Sequence, residues 1–101
     1  MSDAERTPDG RHVVVGGRRW RASDPELPES VRQRLVDLLM EARRGVASAL
    51  RAGDAEAEER ARANVRHAKE GLGERGTPWW EMPVEERRHR WERALRDLGA
   101  E

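Results

Sequence analysis

The chain has 101 residues and no cysteine, and its 20 basic and 20 acidic residues cancel to a formal net charge of zero; this fits one domain with a modest core and excludes disulfides, thiolate metal sites and thiol catalysis. Leu and Val together supply 16 residues while Ile, Phe and Tyr are absent, so the core is thin and a partner or a second copy is expected to cover part of the surface. No apolar run approaches the ~18 residues of a membrane helix, and the N-terminus lacks the apolar stretch of a signal peptide, which predicts a cytoplasmic protein with no membrane contact.

Residues 1–9 carry acids, one Arg and a Pro without apolar periodicity and are expected to be a disordered tail, with a single domain over 10–101. Within it, residues 11–22 read as a β-hairpin, because Gly16-Gly17 separates two β-prone runs. With residues 15 and 18 paired, Val13, Val15, Trp20 and Ala22 share one face and His12, Val14, Arg19 and Arg21 share the other. A lone hairpin is marginal in water, so the Trp20 face is expected to dock.

Pro28 opens a predicted helix over residues 28–52. Val31, Leu35, Leu38, Leu39, Ala42, Val46, Ala49 and Leu50 form its apolar stripe. Val36, Met40 and Ala47 lie beside that stripe and widen the apolar arc beyond what one neighbour needs. Gly53 and Asp54 end one helix and cap the next, so an antiparallel helix is expected over 55–71, with Ala57, Ala61, Val65, Ala68 and Leu72 inward. Residues 71–80 form a glycine-rich turn ending in Trp79-Trp80, where Gly71, Gly73 and Gly76 read as helix termination at a sharp bend. Pro83 opens a last helix over 83–98 with Val84, Trp91, Leu95 and Leu98 on its apolar side. Outward acid-to-base pairs at i,i+4, including Glu58 with Arg62 and Glu86 with Arg90, read as solvated faces. The fold class is mostly α: an N-terminal β-hairpin, an antiparallel helical hairpin and a third C-terminal helix.

Residues 17–22 followed by Asp24-Pro25, then Pro28 and residues 32–36, Ala42-Arg43-Arg44, residues 72–76 and Trp79-Trp80 resemble a family of small uncharacterised bacterial proteins. Its members sometimes carry the label "biopolymer transporter Tol". The resemblance covers roughly residues 11–80 and is most specific around the two tryptophan segments. The label implies a role in envelope energy coupling. The family supplies no catalytic residues to carry over.

Chemistry-bearing constellations are sparse. Glu86-x-x-His89 has the spacing of half a di-iron carboxylate site, but Asn64 precedes His67 where a second Glu is needed, so no metal or other cofactor is expected. The serines lack a His at motif distance, and the glycines of residues 71–76 lack the preceding strand and the Gly-Lys-Ser/Thr ending of a phosphate loop. An enzyme is not expected. The leading expectation is a small interaction module that binds another protein or itself through Trp79, Trp80, Val36 and Met40. The alternative is a nucleic-acid-binding accessory protein acting through Arg18, Arg19, Arg21 and His12 on the hairpin. Of the 20 bases 19 are Arg, a residue whose planar fork suits phosphate, although a G+C-rich genome also favours Arg codons.

Overall fold

Helix ends are where this sequence is most explicit, and the chain reverses where they lie. The computed structural model describes residues 5–100. Its central helix, α1, spans Glu29–Ala52 and stops at Gly53, whose N–H reaches the Ala49 and Leu50 carbonyls. Asp54 then caps α2, Ala55–Leu72, by accepting the Ala57 N–H at 3.0 Å. After a single 3₁₀ turn over Trp79–Glu81, Pro83 precedes α3, Val84–Asp97. One buried cluster joins the elements: Leu27, Leu35, Leu39, Ala68, Leu72 and Ala94, with Trp91 and Leu95 of α3 and Leu98 just after it packed against it.

The second helix runs one residue past its expected end, and Gly73 rather than Gly71 terminates it. Gly73 has φ 84°, a left-handed conformation that strains any other residue, and donates to the Lys69 and Glu70 carbonyls. Gly71 stays helical and serves close packing instead. A Cβ there would lie 2.6 Å from the Ala94 Cβ and 3.2 Å from both Leu35 methyls. Its missing side chain is what lets α3 approach α2.

The N-terminal hairpin belongs to a three-stranded antiparallel sheet of β1 (Glu5–Arg6), β2 (His12–Val15) and β3 (Arg18–Arg21), in that order. Val15 pairs with Arg18, the expected register, across Gly16 and Gly17 at φ 58° and 78°. The sequence predicts a disordered tail through residue 9, yet Glu5 and Arg6 pair with Val14 and Val13. The connecting turn explains the extra strand. The Asp9 carboxylate accepts from the Thr7 hydroxyl at 2.6 Å and the Arg11 N–H at 3.0 Å, an Asx-type turn that composition alone does not reveal. The part of that expectation that concerns residues 1–4 lies outside the described residues.

Sheet orientation is the larger correction. Trp20 is 45% exposed, and the side that meets the rest of the molecule is that of His12 and Arg21. Several contacts hold that side: the His12 ring lies 5.4 Å from that of Trp80, and Arg21 donates to the Gly76 carbonyl at 2.7 Å. Trp80 presents its ring to this side, with the Arg11 and Arg21 guanidinium carbons 5.0 and 5.8 Å from its centroid, and an indole face attracts cations. Leu50, expected within the core stripe of α1, is also exposed, at 55%.

Candidate functional site

The two most distinctive stretches of the sequence, residues 17–25 and 71–80, meet in space. Asp24 N–H donates to the Leu72 carbonyl at 2.8 Å, and the Ser23 hydroxyl donates to Glu74 at 2.6 Å. Trp79 is 8% exposed and donates its indole N–H to the carbonyl of fully buried Ala22 at 2.9 Å. Arg21 from β3 and Arg90 from α3 grip the adjacent Gly76 and Thr77 carbonyls, each at 2.7 Å. Burial pushes the Arg90 guanidinium below its ordinary pKa, only partly countered by the Asp24 charge. Arg90 turns inward to the Thr77 carbonyl instead of forming the outward pair with Glu86 that its spacing predicts.

This junction holds a buried ion pair. The Asp24 carboxylate accepts from Arg87 Nη1 at 3.0 Å and from the Glu26 N–H at 2.9 Å. Arg87 also donates Nε to the Met82 carbonyl at 3.0 Å and sits 5.5 Å from the Trp79 ring centroid. Apart from the buried Arg90 Nη2, which has no hydrogen-bond partner, the polar arms of the junction named above end on other parts of the same chain. What it does chemically is fix the sheet, the end of α2 and the start of α3 to one another.

The expected partner-binding residues are placed unevenly. Trp79 is consumed by the junction, and Trp80, half-buried, meets Trp79 edge to face with centroids 5.2 Å apart while His12 covers part of it. Met40 is 42% exposed, and Val36 is half-buried against the edge of the core. Of the expected nucleic-acid residues, His12 and Arg21 are cross-strand partners, and the register puts Arg19 on their face and Arg18 on the other. His12 and Arg21 face Trp80, Arg18 stacks on Trp20 at 4.1 Å, and Arg19 is exposed. Glu86 and His89 are exposed on the rim of a cleft that Arg75, Arg90 and Arg93 also line, a poor setting for a cation.

Two surface features extend the sequence reading, the first by adding Arg43 and Leu50 to the expected Val36, Met40 and Ala47. Val36, Met40, Arg43, Ala47 and Leu50 recur at intervals of four and three, the spacing of a helix-packing seam. The seam lies beside Leu35, Leu39, Ala42, Val46 and Ala49, which follow the same spacing and face α2. Second, an open groove of about 410 Å³ between α1 and α2 is lined by Arg43, Arg62, Arg66, Lys69 and Arg75, with Val46 and Val65 beneath them. The signal for it was the recurrence of Arg62, Arg66 and Lys69 at intervals of four and three on α2.

No protein-family model, curated protein or solved structure matches the chain. Among the described residues no helix is long and apolar enough to cross a membrane.

Proposed function

We propose that this protein is a protein-interaction module whose docking surface is the second seam of α1. The observation that carries the reading is the exposure of Met40 at 42% and Leu50 at 55% on one line of a helix whose neighbouring line is already packed. Fully burying such a side chain stabilises by roughly 1.5 to 3 kcal/mol, so a seam of this kind left in water is a standing driving force for association. Its 3.5-residue spacing suits a helix as the occupant, contributed by another protein or by a second copy.

The double variant Met40→Glu with Leu50→Glu tests this. Both positions are solvent-facing, so its unfolding free energy should stay within about 1 kcal/mol of the parent. Retention of a partner from a native lysate, or a dimeric mass by light scattering, should be present in the parent and lost in the variant. A monomeric parent that retains nothing defeats the reading.

A second reading is favoured by Trp20. On the outward face of the sheet its half-exposed indole carries the Arg18 guanidinium at 4.1 Å, a combination suited to stacking on the bases of a single strand. Fluorescence anisotropy with labelled single-stranded DNA should then show binding that weakens with salt and falls when Trp20 is replaced by Ala. Binding that ignores both changes, or no binding at low salt, removes this reading.

A further inference from the structure

We infer that the occupant of this surface is an acidic amphipathic helix of a partner protein, seated in the groove between α1 and α2 on the side opposite α3. This rests on the seam proposed above and adds the chemistry of what it binds. The helical pair has a groove on either side; α3 covers part of one, whose far end stays open over about 460 Å³ and is lined by Glu41, Asp54 and Arg60 as well as small apolar residues. Ala94 of α3 closes on Gly71 and Leu35, and Leu98 reaches the groove that Ala61 and Asn64 line. The other groove, with Val46 and Val65 as its floor, is open. Arg43 belongs to both this groove and the second seam of α1, so apolar seam and charged groove form one continuous surface.

Charge selects the partner. Five cations line the groove and no acid does. Arg62 is held by Glu58 at 2.7 Å, whereas among the described residues no ion pair involves Arg43, Arg66, Lys69 or Arg75. In a chain of zero net charge, that local excess is a specific feature and not a general basicity. Carboxylates flanking an apolar stripe would meet these side chains as they do at the flanks of a coiled-coil seam. The apolar floor and the seam spacing favour a helix over a nucleic-acid duplex, whose backbone offers nothing to Val46, Val65 or Met40.

A labelled peptide of about 20 residues, long enough to be helical, with Leu on one stripe, Glu only at the positions flanking it and Ala and Gln elsewhere, is the probe. A matched peptide with Gln in place of Glu and a DNA duplex are the comparisons, all read by anisotropy. The acidic peptide should bind at low salt, at least about tenfold more tightly than the Gln peptide. Arg43→Glu with Arg66→Glu, both exposed positions, should weaken it at least about tenfold while circular dichroism shows the parent's helicity. Met40→Glu should weaken both peptides.

Equal binding of the two peptides, lost only in Met40→Glu, would overturn the acidic partner and leave the seam standing. Binding of either peptide that neither variant disturbs would defeat both seam and groove. Tighter binding of the duplex, abolished by Arg43→Glu with Arg66→Glu, would replace this inference with a nucleic-acid surface. No binding of the acidic peptide overturns it outright.

Discussion

Replacing Trp79 by Ala is expected to destabilise the protein by about 3 to 5 kcal/mol, the largest loss of any single tryptophan. The indole is 8% exposed and packs where the end of α2, the start of α3 and the residues after β3 converge. A second cost adds to the cavity. Without the indole N–H, the carbonyl of fully buried Ala22 loses its donor at 2.9 Å, and an orphaned buried acceptor costs about 1 to 3 kcal/mol. Small domains have about 5 to 15 kcal/mol in total, and this core is thin. A large unfolded fraction at ambient temperature is therefore the expected phenotype. Trp80→Ala gives the contrast. Its ring is half-buried and mainly supports the Arg11 and Arg21 contacts and an edge-on contact with Trp79, for which about 1 to 2 kcal/mol is expected. Trp79→Phe should fall between, since it keeps most of the apolar area and loses the donor. Urea unfolding followed by far-ultraviolet circular dichroism checks the order. Equal, small losses at Trp79 and Trp80 would show that the junction does not hold the fold.

The asymmetry between these two neighbours shows which parts of the molecule are legible in sequence. Helix reversal at Gly53 and Asp54 is readable because cap and turn chemistry is local: each residue acts on backbone within four positions of itself. The hairpin register is readable for the same reason, since Gly16 and Gly17 leave few other pairings. Which face of the sheet docks is not. That depends on Trp80, 59 positions from Arg21 in the chain, whose ring meets His12, Arg11 and Arg21 on that side. Gly71 misleads for a related reason. A glycine near a helix end looks like a terminator, and only the approach of Ala94 from α3 reveals it as a crossing point. The basic groove was legible only in part. Spacing places Arg62, Arg66 and Lys69 on one line, but which cations stay unpaired is decided by where acids from other elements fall.

Removing one partner of the Asp24 and Arg87 pair should cost nearly as much as losing Trp79. Asp24 is 3% exposed and the Arg87 side chain 14%. Arg87→Ala leaves a buried carboxylate with the Glu26 N–H as its remaining side-chain bond and the more distant Arg90 charge as its remaining counter-charge, and breaking a buried pair costs about 3 to 5 kcal/mol. Asp24→Ala strands the guanidinium in the same way, though Arg87 keeps the Met82 carbonyl and its place over the Trp79 ring, so its loss should be somewhat smaller. Replacing both residues by Ala should cost less than the sum of the single changes by about 1 to 3 kcal/mol, because the second removal relieves the stranded charge. Additivity within about 0.5 kcal/mol would mean that the two side chains act independently. The same set of variants separates stability from binding. Neither residue lines the groove between α1 and α2, so under conditions where Asp24→Ala remains folded it should hold the acidic helix as the parent does. A variant that folds and yet loses the peptide would tie the junction to the docking surface. Retained binding would leave the junction as the device that fixes sheet, helical pair and third helix together, with recognition carried by the face that α3 does not cover.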